Sequence, residues 1–330
     1  MGLGVNLLNA FVLCYLLTRR SNRVKYLFYY LVFPGFLFTT VLGFLSSWLD
    51  RKITARVQWR KGPPLLQPIY DFIKLLGKET IIPIGAPRFL FLTLPLVGLA
   101  SAVLVSTMNW IALFDTRSGF VGDWIVAIYL LAIPAIMLII NALASANPLS
   151  SVGASREIKL LLAYELPFVI ACLVPVIKAH SIKLGEVIGF QASNGIVLFS
   201  VSGVIAFIIA LLCTQAKLGL VPFDMAEAET EIMAGAYIEF SGCVLAIFKL
   251  TKFVMFVASP VFLVLLFMGN RINGVLDFLI VLLKYLLILV LLVLIRNTNP
   301  RLRIDQAVRF FWGLITLLAI LAATLALLGY

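Results

Sequence analysis

The chain has 330 residues, of which 62% are hydrophobic and 12% charged, with a mean hydropathy of +1.10. That excludes an ordinary soluble domain, and the long unbroken apolar runs exclude a β-barrel, whose strands alternate over short segments. The net charge of +11 gathers in particular loops, so it reads as membrane topology and not as nucleic-acid binding.

The expected fold class is all-α: a polytopic membrane helical bundle forming one integral-membrane domain over 1–330. About eight transmembrane helices are predicted, one of them long and tilted, with a possible extra N-terminal segment. Residues 3–17 are apolar but short for a span and are followed by Arg19, Arg20, Arg23 and Lys25. They lack the charge order and cleavage site of a signal peptide, which leaves a marginal extra helix or an interfacial one. Residues 26–49 make the first full span, with a kink at Pro34-Gly35. The loop 50–88 is strongly basic. Its second half, 65–78, spaces Leu65, Leu66, Ile69, Phe72, Ile73 and Leu76 as an amphipathic helix for a membrane surface or a partner. Further spans are predicted at 89–114, 122–146, 157–178, 196–215, 238–268, 275–295 and 308–329. The 238–268 segment is too long to stand upright, so it must tilt, kink at Pro260 or project beyond the bilayer.

Placing loop 50–88 in the cytoplasm also puts 147–156, 216–237 and 296–307 there. Most basic loop residues then lie inside, against Arg117, Lys183 and Arg271 outside and Lys178 at a span end. The N-terminal cluster of Arg19, Arg20, Arg23 and Lys25 violates that arrangement. No phosphate-binding glycine loop and no Ser/His/Asp set is present. The four cysteines are singletons without a CxxC pair, and His180 stands alone, so no metal site is encoded by spacing.

The stretch 216–239 is the chemical centre of the sequence. It holds Asp224, Glu227, Glu229, Glu231 and Glu239, five of the 15 acidic residues. Pro222 opens it, Asp224 is a candidate N-cap, and Glu227 and Glu231 are expected on one face of the following helix. Crowded carboxylates at a membrane boundary repel one another and lose hydration, which favours proton exchange near neutral pH. Ionisable residues inside spans are costly and point to function: Glu157, Glu165, Lys249, Lys252 and Lys284 are expected to line a buried polar route with the acidic loop. Structural ion pairs, or lysines reaching to the surface, are the competing explanation.

Three stretches carry a family resemblance. Asp50 to Pro63 with Leu66 to Glu79, and then Pro222 to Gly242, resemble the first basic loop and the acidic loop of NADH dehydrogenase subunit 1, the heel subunit of respiratory complex I. Arg301 to Gln306 resembles its last cytoplasmic loop. The order is kept over nearly the whole chain from about residue 26. Two departures matter. Asp50 stands where the family typically has Glu, and Pro64-Leu65-Leu66 closes a gap that is longer in complex I. The short version looks like the equivalent subunit of membrane-bound group 4 nickel–iron (NiFe) hydrogenases, formate hydrogenlyase and membrane-bound sulfane reductase, and it counts against a full quinone chamber.

The resemblance implies a chain that is non-catalytic on its own and binds no cofactor or metal. Its place would be the multi-pass plasma membrane of a prokaryote, in an oxidoreductase complex. Partners would be hydrogenase-large-subunit-like and iron–sulfur subunits of a peripheral arm, which carry the nickel–iron centre and iron–sulfur clusters, with antiporter-like and small membrane subunits beside it. Asp224, Glu227, Glu229, Glu231 and Glu239 match the acidic loop, and Glu157 and Glu165 match the helix that continues the route. Arg51, Arg56, Arg60 and Lys61 match the docking loop, and Arg301 and Arg303 the last loop. The implied function is coupling of ferredoxin-driven redox chemistry to proton or sodium pumping. A quinone-binding subunit of a complex I-like dehydrogenase is the alternative. A stand-alone transporter is disfavoured, because the two halves show no paired broken helices.

Overall fold

The structure is a computed structural model that describes residues 22–227 and 229–329; the predicted N-terminal segment 3–17 lies outside the described residues. Helices α1 (Asn22–Leu31) and α2 (Phe36–Val57) form one apolar stretch broken at Pro34-Gly35. The amphipathic α3 (Gln67–Leu76) starts with Pro68 in its first turn, where a missing N–H costs nothing. Spans α4 (Arg88–Phe114), α5 (Asp123–Ala144) and α6 (Pro148–Ala179) follow. Next come the short α7 (Leu184–Asn194), then α8 (Val201–Lys217) and the single turn α9 (Glu229–Ile232). Last are α10 (Gly242–Met268), α11 (Val275–Thr298) and α12 (Ile304–Leu327), the last with a π-helical stretch at Phe310–Ile315. Seven helices are long and apolar enough to cross a membrane when α1 and α2 count as one, and α8 is a shorter apolar helix.

Helix α10 is the pillar of the bundle. Of its most apolar window, 89% is buried, against 33% for α11 and for α12. It packs on α4, α2, α11 and α8. Pro260 lies inside it without breaking it. The helix begins at Gly242, later than predicted, because Gly242 takes a left-handed φ of 52° and presses against the backbone of Lys78 and Glu79. Helix α6 begins earlier than predicted. Asn147 caps it by accepting from the Leu149 N–H at 2.9 Å, and Pro148 takes the first position.

One end of the bundle gathers the charged loops. The Thr80 and Ile81 region joins the start of α10, with the Ile81 N–H donating to Ser241 Oγ at 2.8 Å. The Leu302 N–H donates to the Pro222 carbonyl at 3.1 Å. The opposite end is tied by hydrogen bonds to backbone groups. Gln191 of α7 donates to the Leu265 and Leu266 carbonyls and accepts from the Gly269 N–H at 2.7 Å, which satisfies the C-terminal turn of α10. The Leu184 N–H donates to Asp123 at 2.8 Å.

Close approach of α6 to the acidic loop depends on Gly153. A Cβ there would stand 2.5 Å from the Ala236 nitrogen and 2.8 Å from the Gly235 carbonyl carbon, both backbone atoms that cannot step aside. Gly153→Val is expected to cost about 1–3 kcal/mol by overpacking. It should lower the thermal midpoint of the purified protein and expose the loop to limited proteolysis. An unchanged midpoint and digestion pattern would refute the contact.

Candidate functional site

The acidic loop is positioned from both sides. Gly219 turns the chain after α8 with φ 61°, a conformation that suits glycine. Gln215 of α8 then donates to the Val221 carbonyl at 2.7 Å. The loop refolds on itself at Gly235, where a Cβ would clash with the Ala226 carbonyl oxygen at 1.9 Å. Glu227 and Glu231 do not share a helical face, which corrects the expectation from spacing. Only Glu229–Ile232 is α-helical, with a 3-10 turn at Gly235–Tyr237, and Glu227 precedes both in a turn closed by its N–H on the Asp224 carbonyl. The reason is tertiary: Glu227 is drawn inward by Lys252 and Glu231 outward by Arg156.

Four acids of the loop and its borders have protein partners. Glu227 accepts a short charged hydrogen bond from Lys252 of α10. Asp224 pairs with Arg301 at 2.9 Å and caps no helix. Burial pushes the Asp224 carboxyl above its ordinary range, and Arg301 opposes that shift. Glu231 pairs with Arg156 at 2.6 Å at the surface. Glu239 accepts a short hydrogen bond from Asn147 at the start of α6, so it braces a helix start. The backbone of Glu229 opens α9.

Behind the loop lies Glu157, buried in α6. It shares a cavity of about 50 Å³ with Asp224, Glu227, Lys252, Tyr237 and Lys217. That is room for a few water molecules. Burial first, then the charges of Glu227 and Glu157, push the Tyr237 phenol well above its ordinary range, so it stays neutral. A second cavity of about 390 Å³ opens on the other side of the same residues. It shares Leu218, Gly219, Asp224, Glu227 and Lys252 with the first and adds Asp50, Arg51, Arg296 and Arg301. Asp50 pairs there with Arg296 at 2.7 Å.

The innermost charge is one that sequence reasoning counts only as a loop cation. Lys217, the last residue of α8, has a side chain 1% exposed. Its Nζ donates to Glu165 of α6 at 2.9 Å and lies 4.6 Å from the Phe168 ring centre. This pair continues the polar series inward from Glu157: Asp224, Glu227, Lys252, Glu157, Lys217, Glu165. The signal available in the sequence is its place. A lysine ending an apolar run beside a loop of acids is also the last inward-facing turn of a helix.

A model of the family described as NADH dehydrogenase matches residues 29–327. The chain belongs to the NADH dehydrogenase family. NADH-quinone oxidoreductase subunit 8 of Thermus thermophilus is 32% identical over 85% of this chain and 82% of its own length. An NADH-quinone oxidoreductase subunit of Dehalococcoides mccartyi strain CBDB1 is 32% identical over 88% of this chain and 82% of its own. A chain of the membrane-bound sulfane sulfur reductase, an archaeal respiratory membrane complex, superposes with a TM-score of 0.80 at 28% identity. It matches 88% of this chain and 96% of its own length. This protein is therefore a membrane subunit of a complex I-like oxidoreductase.

Within that family frame, other expected residues separate by place. Lys284 does not join the acidic loop. It donates to the carbonyl of Met268, the last residue of α10, at 2.8 Å. Lys252 stands 16 residues earlier on α10, about 24 Å away along a helix rise of about 1.5 Å per residue. Lys284 is thus a cation on a helix C-terminus, where the dipole favours it. Arg51 is engaged with Asp71 of α3 at 2.8 Å. Burial works against the Asp71 anion, but hydrogen bonds from Arg51 and Gln67 hold its pKa below the ordinary value. Lys249 is exposed and close enough to Asp71 to act on it electrostatically. Arg56, Arg60 and Lys61 are exposed around Trp59, which is itself 98% exposed. Arg303 is also exposed, its N–H accepted by Gln306 at 3.1 Å. Among the described residues no group of three or more His, Cys, Asp or Glu is placed to hold a metal.

The Lys217–Glu165 pair carries a stability prediction. Removing one partner of a buried pair costs about 3–5 kcal/mol, because the other charge is stranded. Glu165 is 23% exposed and Lys217 1%, so stranding the lysine is the worse case. Glu165→Ala should therefore lower the thermal midpoint more than Lys217→Met. The double variant Glu165→Gln with Lys217→Met should recover most of the loss. Equal and additive losses would show that the two charges do not depend on each other.

Proposed function

We propose that this chain is the membrane-anchor and energy-coupling subunit of an ion-translocating respiratory complex of the membrane-bound hydrogenase or sulfane reductase type. The observation that carries the proposal is the placement of loop carboxylates and buried glutamate on one pair of adjoining cavities. Asp224 and Glu227 line both, Glu157 lines the inner one, and Lys252 and Lys217 interleave with them. Such a series passes charge by exchanging partners. A lysine that leaves Glu227 finds Glu157 across the same cavity.

The redox event belongs to partner subunits, whose nickel–iron or iron–sulfur centres supply the electron chemistry. Arg56, Arg60, Lys61 and Arg303 present an exposed basic surface for that arm. The basic loops support a cytoplasmic position for this end in a prokaryotic plasma membrane. Charge arriving above the loop changes the partner balance at Asp224 and Glu227. Two unit charges about 4 Å apart interact by about 4 kcal/mol at an effective dielectric of about 20, enough to switch the protonation of a neighbour. Glu157 and then Glu165 receive that change and bias ion uptake in adjoining subunits.

The quinone-binding reading rests on the relatives named as NADH-quinone oxidoreductase subunits and on the 390 Å³ cavity. The lining disfavours it, because Asp50, Arg51, Asp224, Glu227, Lys252, Arg296 and Arg301 surround that space with charge. A quinone ring and tail prefer a mostly apolar pocket. Reduction of a quinone analogue by the purified complex, lost on Arg56→Ala, would establish the quinone reading.

In proteoliposomes, Glu165→Gln is expected to retain electron transfer to a soluble acceptor and to abolish ion pumping. The double variant with Lys217→Met controls for the stranded lysine and should also fail to pump. Pumping that survives in both removes Glu165 from the route. Charge reversal at Arg60→Glu with Lys61→Glu should release the peripheral arm at lower salt than the native complex does, as read by co-purification. Retention at the same salt would place docking elsewhere.

A further inference from the structure

A groove on the outer side of the bundle has no part in the polar series. It lies between α6 and the beginning of α12, with a volume of about 410 Å³. Leu162, Val308 and Trp312 form its apolar walls, and Lys159, Arg309 and Asp305 its rim. Lys159 and Arg309 are both exposed, and neither has an ion-pair partner among the described residues. Asp305 lies four residues before Arg309 and offsets part of their charge, which leaves the rim net positive. The Trp312 indole is held in place because its N–H donates to the Leu162 carbonyl at 3.3 Å. The residue nevertheless remains 60% exposed.

The arrangement is graded along the length of α6 and α12, both of which start at the charged end. The cations sit at the charged end, the indole comes next, and Leu162 and Leu166 continue along the exposed face of α6 toward the bilayer interior. Two cations above an aromatic and an aliphatic wall match a phosphate above a glycerol backbone and an acyl chain. A free phosphate has no use for the apolar wall, and an apolar helix of a partner has no use for the two cations. We propose that this groove is a binding site for a phospholipid, its phosphate between Lys159 and Arg309 and an acyl chain along Leu162, Leu166 and Trp312.

The test uses the intact complex in nanodiscs containing phosphatidylglycerol with a diazirine on one acyl chain. Photolysis is expected to label the α6 segment around Leu162 and Leu166. Leu283 and Leu287, on the exposed face of α11, provide the reference for ordinary lipid contact. In Lys159→Gln with Arg309→Gln, labelling of the α6 segment relative to α11 should fall by up to about thirtyfold, as about 1 kcal/mol for each of two basic side chains at a membrane surface implies. Leu162→Trp, which fills the groove and keeps both cations, should give the same loss. Equal ratios in native and variant complexes overturn the site. So does labelling at α11 with none at α6 in the native complex, the result expected if a neighbouring subunit covers the groove.

Discussion

A charge held below a membrane surface needs an opposite charge or a hydrogen-bonding dipole beside it, and at the charged end of this bundle the partner is most often an opposite charge. Taking an ion out of water costs several kcal/mol even after relaxation. Each ionised group carried inward therefore fixes the position of another. Asp50 of α2 holds Arg296 of α11, and Asp224 holds Arg301 in the link to α12. Glu227 holds Lys252 of α10, and Glu165 of α6 holds Lys217 of α8. Every pair joins two separate segments. The acidic loop has no regular structure of its own beyond two single turns, yet it is located by the charges it must satisfy on its neighbours.

The two ends of α10 show what this means for motion. Its C-terminal end is closed by Gln191 and Lys284, bonds in which a carbonyl always accepts and nothing is exchanged. Nearer its charged end, Lys252 pairs with Glu227 and lines the same cavity as Glu157. With both ends of the helix held, since Ser241 accepts from the Ile81 N–H before its first turn, a change of partner at Lys252 would not require the core to unpack. The most apolar window of α10 is 89% buried with Lys252 paired to Glu227. In the proposed coupling role, the polar series would respond to charge while the bundle keeps its shape.

The spans are legible because burial in lipid demands long apolar runs, and nothing else in the sequence competes with that signal. Their ends are less legible. Asn147-Pro148 is a local start signal for α6, but the polar residues after it resemble a loop, so Glu157 reads as the mouth of a helix when it lies well within one. The acidic cluster is visible as a cluster, and the family pattern gives its context. Its conformation is not visible, because Glu227 and Glu231 fit helical spacing equally well and only Lys252 and Arg156 decide their directions. Lys217 and Lys284 mark the same limit from opposite sides. A lysine in or beside an apolar run looks identical whether it caps a carbonyl, as Lys284 does, or pairs with a buried glutamate, as Lys217 does.

Helix α6 joins the inner and outer surfaces of the molecule. Glu157 faces the cavity behind the loop, while Lys159, two residues on, faces outward into the lateral groove. Glu165 then turns inward again to Lys217. The helical repeat forces this division, since residues two apart point to nearly opposite sides. Any rotation of α6 that moves Glu157 within its cavity must also swing Lys159 across the groove. A phosphate held by Lys159 and Arg309 would resist that rotation through α12. The glutamates of α6 would then keep their register toward Lys252 and Lys217 because the outer face is held, just as the inner pairs hold the loop.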